Sequence, residues 1–488
     1  SHNKLLNKNV FSNRMQNTMM KYFLLFFLSI SAATLMAGEV KVIGKSTEYA
    51  GAELLFYKYS DRITMLKEEV FKIQVDKSGN FSVGFQVKRP EYVFMEEGLY
   101  HAYFYVEPGC TYELILPEKT EKTPADKLNP FFDYIPVHIG IKGMQKQDLN
   151  YLILDFDYFY DQYIDESLFD LYTKGMDSDV DTFINEINQH FAYAKNPFFD
   201  AYKKYRYAGL RYLAYQRNRP EISFRNYTYD SVWYENPAYM DLFNELYKDF
   251  FDNLLNDKIL GEILGARLFY EVHKGHSIAN IKKVFAILVE LRNDQLRELV
   301  ILKGIHDAFY NVNYAWAPLL LTLDSLCIVT KYPEHRLIGQ NIADKVLSMS
   351  PGTVAPPFVF SDSAGNTVKL SDYRNEFVYL NFVNSQSYTS QQQLPLLQTL
   401  YNKHSRYFKI VTVVTDENIE EAKSYFSRYD YPWDIIYTGG DQQVIDYYKI
   451  KTFPAYFLVG PSGILMMSPA PGPLEGFEKA FFGLIEEK

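Results

Sequence analysis

The sequence predicts three consecutive regions of different fold class: an all-β region, an all-α region and a C-terminal α/β region. In residues 38–122, short runs of alternating apolar and polar residues are separated by turn-forming Gly, Pro, Asn and Asp. In residues 123–350, apolar residues recur every three or four positions, as in amphipathic helices. Residues 348–357 contain three Pro and one Gly, and strands and helices alternate after them, in residues 351–488. A chain of 488 residues is long enough for several such domains.

Residues 1–37 are predicted to be a signal peptide with residues upstream of it. Lys21 precedes the apolar run at residues 22–28, and small residues follow at 31–33. The run is too short to span a bilayer. We therefore expect cleavage near Ala37 and a mature chain without a membrane span, exported to the periplasm or the outer cell surface.

The all-β region contains one strong turn signal at residues 76–80. The apolar runs at 70–75 and 81–87 flank it, and this arrangement predicts a β-hairpin. The helical region contains two helix starts, Asn196-Pro197 and Asn236-Pro237. Its acidic series is predicted to be the solvated face of one helix: Asp155, Asp157, Asp161 and Asp165.

Composition excludes some classes of partner and leaves one question open. The net charge of −10 argues against a nucleic-acid partner. The 42 tyrosines are compatible with a sugar-binding surface or with half-buried helix faces, and their helical spacing favours the second.

The two cysteines, Cys110 and Cys327, are far apart in the sequence. In an oxidising compartment a bridge between them would join two domains. Disulfide geometry is demanding, so we expect two free thiols instead. No Cys or His spacing is typical of a zinc site, and we expect neither a metal nor another cofactor.

The α/β region is organised around a buried strand, a polar turn and a helix. The apolar run at 378–383 predicts the strand, residues 384–390 the turn, and residues 389–403 the helix. The turn contains Ser387 and Ser390. Further strands are predicted at 409–414, 433–437, 455–459 and 464–468, and further helices at 417–428, 442–448 and 474–487.

Residues 351–488 resemble the thioredoxin-like domain of the TlpA-like disulfide reductases, which are redoxin-type (AhpC/TSA) proteins. The resemblance lies in the segments 351–358, 365–373, 377–395 and 453–463. It implies that Ser387 and Ser390 replace the Cys-x-x-Cys of the family and that Phe453-Pro454 is the family's cis-proline element. The two preceding regions resemble the β-sandwich and the helical middle region of related Bacteroidetes proteins.

The serines remove the redox chemistry that the resemblance would imply. Thiol–disulfide exchange needs a thiolate nucleophile and a sulfur leaving group, and serine supplies neither. A serine hydrolase needs a nearby base, but residues 384–390 contain no His. In the thioredoxin fold, the residue before the cis-proline also presents its backbone to an extended partner. The candidate peptide-binding residues are therefore Tyr388, Thr452, Phe453 and Pro454.

Three functions remain open. The first is a non-catalytic protein-binding or peptide-binding scaffold of the cell envelope, and the missing cysteines favour it over an enzyme. The second is a TlpA-like thiol–disulfide oxidoreductase whose active-site cysteines were replaced by serine. The third is a glycan-binding surface protein. The sequence does not indicate an oligomeric state.

Overall fold

The computed structural model describes residues 38–486 apart from positions 124, 125, 127, 128, 130, 131, 175, 176, 215 and 216. The predicted signal peptide, residues 1–37, therefore lies outside the described residues. The chain forms two compact units. One unit comprises the described residues up to Lys119 together with Ile135–Leu246, and the other comprises Thr120–Tyr134 and Tyr247–Lys488.

The first unit contains two sheets that enclose one apolar core. Its strands are β1 (Gly38–Lys45), β2 (Glu53–Tyr59), β3 (Lys67–Gln74), β4 (Asn80–Val87), β5 (Glu91–Glu97), β6 (Tyr100–Val106), β7 (Thr111–Ile115), β8 (Ile135–His138) and β9 (Gly140–Ile141). The sheet orders are β4-β1-β7-β9 and β3-β2-β5-β6-β8. Val40 and Leu114 from the first sheet share the core with Phe56 and Phe104 from the second, which gives a sandwich.

The prediction of a β-hairpin around residues 76–80 is wrong. Asp76 does form a tight turn, because its carboxylate accepts the N–H groups of Ser78 and Asn80 at 2.8 Å each. However, β3 pairs with β2 while β4 pairs with β1, so the turn connects the two sheets instead of pairing its own flanks. The sheets also extend into the region expected to be helical, since β8 pairs with β6 and β9 with β7.

The described residues of the first unit also form the helices α1 (Leu149–Lys174), α2 (Asp177–His190), α3 (Pro197–Ala214), α4 (Arg219–Asn226) and α5 (Pro237–Leu246). The predicted helix starts are confirmed, because Asn196 caps α3 and Asn236 caps α5 through their side-chain oxygens. Helix α1 is joined to strand β6 by Asn150, whose amide bonds both the N–H and the C=O of Tyr105 at 2.7 and 2.8 Å. The helices predicted as one domain are thus shared between the two units.

Two members of the acidic series on α1, Asp155 and Asp157, are only partly exposed, with 24% and 25% of their side chains accessible. Asp157 accepts the hydroxyl of Tyr202 with both carboxylate oxygens at 2.9 Å and lies 3.7 Å from Arg206. Burial raises the pKa of Asp157 to about 6, although Arg206 and Tyr202 oppose the shift. Asp161 and Asp165 are exposed as predicted.

The half-buried carboxyl of Asp157 predicts a pH dependence of stability. Because the pKa of Asp157 is higher in the folded state, its contribution is fully present below about pH 4 and is lost as pH rises through 6. As pH rises from about 4 through 6, we expect the free energy of unfolding of the parent to fall by up to about 3 kcal/mol. In Asp157→Asn this decrease is expected to be absent. Thermal unfolding between pH 4 and pH 8 measures this, with Asp165→Asn on the same helix as the control. Parallel pH profiles of the parent and Asp157→Asn would contradict it.

Among the described residues from Tyr247 onward, the second unit contains a helical segment with these α-helices: α6 (Phe250–Leu255), α7 (Ala266–Tyr270), α8 (Ile278–Phe285), α9 (Asp294–Ala308), α10 (Trp316–Val329) and α11 (Pro333–Leu347). Helix α9 is their centre, since its residues from Leu299 to Ile305 are all buried. No helix among the described residues has the length and apolar character that crossing a membrane requires.

The C-terminal part of the second unit is an α/β domain with one mixed sheet. Its strands are β10 (Val359–Asp362), β11 (Thr367–Lys369), β12 (Val378–Val383), β13 (Lys409–Val414), β14 (Asp434–Tyr437), β15 (Ala455–Val459) and β16 (Leu465–Met467). The order is β11-β10-β14-β13-β12-β15-β16, with β12, β13 and β14 parallel. Its helices are α12 (Tyr388–His404), α13 (Ile419–Phe426), α14 (Gln442–Tyr447) and α15 (Phe477–Glu486). Strand β12 is buried throughout and is central, as its apolar run predicts.

Candidate functional site

The candidate site lies where strand β12 ends and helix α12 begins. Ser387 is the N-cap of α12, and its side-chain oxygen accepts the N–H of Ser390 at 3.3 Å. Ser387 is half-buried, whereas Ser390 is only 1% exposed. The Ser387 side chain therefore contacts the backbone of Ser390, whose own side chain is buried.

The turn before the helix is held by side chains outside the Ser-x-x-Ser segment. Asp416, which follows β13, accepts the N–H of Ser385 at 2.9 Å and also its hydroxyl. The amide of Gln391 donates to the carbonyl oxygen of Ser385 at 2.8 Å. The shape of the turn therefore does not depend on a covalent link between positions 387 and 390.

The segment before β15 faces this turn. The hydroxyl of Ser387 donates to the carbonyl oxygen of Phe453 at 3.4 Å, and the Phe453–Pro454 peptide bond is cis. Phe453 and Pro454 are half-buried and Thr452 is exposed. Tyr388, next to Ser387, keeps 74% of its side chain exposed. The structure thus brings Ser387 and Phe453 together, with Tyr388 and Thr452 at the solvent-facing edge.

A buried polar chain in the same domain was not predicted from the sequence. The indole N–H of Trp433 donates to the hydroxyl oxygen of Thr412 at 2.8 Å, and that hydroxyl donates to Asn381 Oδ1 at 2.6 Å. Asn381 is fully buried in β12. The sequence signal that could have indicated this chain is a single Asn within an apolar strand. Because side chains alternate along a strand, Asn381 lies with Tyr379 and Val383 on the face that α12 covers.

The contacts that the structure shows at the two serines are hydrogen bonds of Ser387. Within the described part of the chain, the hydroxyl of Ser390 has no hydrogen-bond partner, and no histidine bonds Ser387. A serine without an adjacent base is not an activated nucleophile. Among the described residues, no group of three or more His, Cys, Asp or Glu side chains is placed to hold a metal ion.

The two cysteines belong to other elements. Cys110 lies between β6 and β7, Cys327 lies in α10, and neither forms a disulfide. Burial raises the pKa of both thiols, so neither has the lowered pKa of a reactive cysteine.

The sequence of the C-terminal domain matches a known family. The AhpC/TSA family model matches residues 351–468. The thiol-disulfide oxidoreductase ResA of Bacillus subtilis is 30% identical over 118 residues, which cover 24% of this chain and 65% of that protein. The ResA of Bacillus cereus is 26% identical over 125 residues, covering 25% and 72%. Matches of this extent place thiol-disulfide oxidoreductases among the relatives of the C-terminal domain.

Solved structures are also similar to a part of the chain. A thiol:disulfide interchange protein from Bacteroides sp. is 26% identical, with a TM-score of 0.26, and the match covers 28% of this chain and 92% of that one. The thioredoxin domain of a thiol-disulfide oxidoreductase from Bacteroides vulgatus is 25% identical, with a TM-score of 0.26 and coverage of 28% and 98%. The C-terminal region is therefore similar to proteins of the AhpC/TSA family, and the curated relatives cover only about a quarter of this chain.

Proposed function

We propose that this chain is an exported protein whose thioredoxin-like domain binds an extended segment of a partner protein without thiol–disulfide exchange. The observation that carries the proposal is the hydrogen bond of 3.4 Å from the hydroxyl of Ser387 to the carbonyl oxygen of Phe453. A redox relative would need a thiolate at the position of this hydroxyl. The proposal assigns Ser387 and Ser390 to the positions of the two redox cysteines.

The backbone of Phe453 supports binding of this kind. Its N–H donates no hydrogen bond among the described residues, and its carbonyl oxygen accepts only the long bond from Ser387. An extended segment can pair with these two groups as an added strand does. Tyr388 and the half-buried Phe453 ring supply apolar surface beside them.

The expected affinity is modest. Each main-chain hydrogen bond contributes about 0.5–1.5 kcal/mol net, and burying one aromatic ring adds roughly 1.5–3 kcal/mol. After the cost of association, a few such contacts give on the order of −8 kcal/mol, which corresponds to a micromolar Kd. We therefore expect a reversible contact, which a second binding surface elsewhere in the chain would strengthen.

A second candidate is a thiol-disulfide oxidoreductase whose cysteines were replaced by serine. The names of the relatives favour it, and so does the retention of the strand–turn–helix arrangement with one serine half-buried and the other buried. The residues at positions 387 and 390 of the native gene distinguish it from the first candidate.

Glycan binding has less support. Many tyrosines of the helical segments are buried in the cores of their units: Tyr202, Tyr205, Tyr207, Tyr227, Tyr239, Tyr247 and Tyr314. Their abundance is therefore explained mainly by packing, as the helical spacing predicts.

The proposed peptide-binding groove, between Ser387-Tyr388 and Phe453-Pro454, is tested with Phe453→Ala and Tyr388→Ala in the full chain. Phage-displayed random heptapeptides are selected on the parent protein, and the Kd of an enriched peptide is measured for each variant. We expect each substitution to weaken binding about tenfold or more, because ring burial contributes roughly 1.5–3 kcal/mol. Tyr429→Ala, which removes a ring that is 47% exposed on another segment of the domain, is the control. Normal binding by both folded variants would place the binding surface elsewhere.

A further inference from the structure

Three lysines lie together beside the Phe453 segment. The amine of Lys449 donates to the backbone carbonyl oxygen of Lys345 on α11 at 2.9 Å. Partial burial lowers the pKa of Lys449, and the like charges of Lys345 and Lys451 lower it further. No salt bridge among the described residues reaches Lys449 or Lys451. This lysine cluster (Lys345, Lys449 and Lys451) is a concentration of positive charge on a chain whose net charge is −10.

The lysine cluster is close to the candidate site. Lys451 precedes Phe453 by two residues, so their Cα atoms are at most about 7 Å apart even in extended backbone. Both residues belong to the second unit, as do Lys345 and Lys449.

The N-terminus of α12, which begins after Ser387, adds positive potential to the site. This helix has 17 residues and no acidic residue in its first turn. The N–H groups of Tyr388 and Thr389 have no hydrogen-bond partner among the described residues, and the buried Ser390 hydroxyl has none either. Unpaired first-turn N–H groups and the helix dipole favour an anion.

Two carboxylates of the same domain are bonded elsewhere. The carboxylate of Asp416 is buried and accepts both donors of Ser385. Glu475 accepts the N–H of Gly472 at 2.9 Å, in the loop that follows β16. Neither of these two carboxylates bonds the first turn of α12, Lys449 or Lys451.

We propose that the extended segment bound at this site is acidic, with one carboxylate at the N-terminus of α12 and another facing the lysine cluster. In an extended segment, alternate residues share one face at about 7 Å spacing. A segment with acidic residues at alternate positions therefore presents carboxylates to both features while its backbone pairs with Phe453. This inference rests on the proposed function and specifies its ligand class.

The test uses the full-length protein and three synthetic probes in calorimetric titrations. The first probe is acetyl-Ser-Glu-Phe-Glu-Val-Glu-Ser-amide, and the other two replace every Glu by Gln or by Lys. At low salt we expect the Glu peptide to bind about tenfold more tightly than the Gln peptide, a difference of about 1.4 kcal/mol. The preference is expected to shrink to about threefold or less at high salt, where exposed charges are screened.

Two lysine substitutions localise the effect. Lys449→Gln and Lys451→Gln are expected to reduce the preference for the Glu peptide while leaving the Kd of the Gln peptide unchanged. Lys479→Gln, an exposed lysine on α15, is the matched control and is expected to change neither.

The outcomes separate the two proposals. Equal binding of the Glu and Gln peptides overturns the acidic-ligand inference and leaves the proposed function standing. If Lys449→Gln and Lys451→Gln both keep the preference for the Glu peptide, the inference is also overturned, because other residues then bind the carboxylates of the peptide. If none of the three peptides binds, the groove itself is refuted, and the inference is refuted with it.

Discussion

The double substitution of Ser387→Cys and Ser390→Cys is expected to give a protein that forms a disulfide in its C-terminal domain and catalyses insulin reduction. The parent is expected to remain at background, because its hydroxyls cannot relay electrons. Position 387 is the N-cap of α12, and a cysteine at a helix N-terminus has its pKa lowered from about 8.5 into the range of roughly 3.5–7.5. At pH 7 this raises the thiolate fraction from a few per cent to about a quarter or more, so we expect activity about tenfold or more above the parent.

The environment of position 390 favours the same result. A buried hydroxyl without a partner carries a desolvation cost, and a thiol at the same place behaves as a small apolar group. Ser390→Cys is therefore not expected to destabilise the domain. The turn is held by Asp416 and Gln391, neither of which is altered.

The controls for this experiment are Ser387→Ala with Ser390→Ala, and Ser387→Cys alone. The alanine pair is expected to stay at background, and the single cysteine to form mixed disulfides without turnover. Thiol counting with and without reductant reports the disulfide directly, against the two free thiols expected of the parent. A double-cysteine variant that is folded but remains fully reduced under oxidising conditions would show that the site no longer has the geometry of a disulfide reductase.

The C-terminal fold could be predicted from the sequence because its signals are local. Strands β12, β13 and β15 have the predicted bounds, since buried central strands are continuous apolar runs between turn residues. The pairing of sandwich strands is not local. The turn at Asp76 looks the same whether the next strand returns to the same sheet or enters the other one, so the hairpin prediction failed.

The candidate site was predictable only in part for the same reason. Ser387 and Phe453 were found because their segments have recognisable patterns on either side of them. The lysine cluster unites Lys345 on α11 with Lys449 and Lys451 more than one hundred positions later, and only tertiary structure brings them together. Asp157 was misplaced because helical spacing assigns a face but not what packs against it.

Removing the charge of Glu298 is expected to have the largest effect on stability. Glu298 lies on α9 and is 1% exposed. Its carboxylate forms hydrogen bonds with His335 Nδ1 of α11 at 2.8 Å and with the hydroxyl of Thr330. It also forms an ion pair with Lys282 of α8 at 2.5 Å. One carboxylate therefore joins two neighbouring helices and the segment after α10 to the central helix of the second unit.

The pKa of Glu298 shows how strongly the fold depends on its ionised form. Burial alone raises this pKa, but the hydrogen bonds from His335, Lys282 and Thr330 outweigh burial and lower it to about 2. A pKa lowered from 4.5 corresponds to about 3 kcal/mol of stability that is present above pH 4.5 and is lost as pH falls toward 2.

Glu298→Gln is therefore expected to destabilise the helices α8 to α11 by about 3–5 kcal/mol, because it removes the carboxylate that bonds the buried His335 and leaves Lys282 paired with Asp294 alone, at 3.2 Å. Hydrogen exchange read by mass spectrometry resolves this locally, and we expect peptides of α8, α9 and α11 to exchange about one hundredfold faster or more. Lys331→Gln is the matched control: its side chain is 71% exposed and pairs with Asp294 at 3.6 Å, so its loss is expected to cost less than about 1 kcal/mol.

Unchanged exchange of α9 in Glu298→Gln would mean that apolar packing around Leu299 to Ile305 alone holds these helices together. A loss of protection that spreads equally to β12 and β13 would instead make the helical segments and the α/β domain a single cooperative unit, in which the carboxylate of Glu298 also supports the Ser387 site.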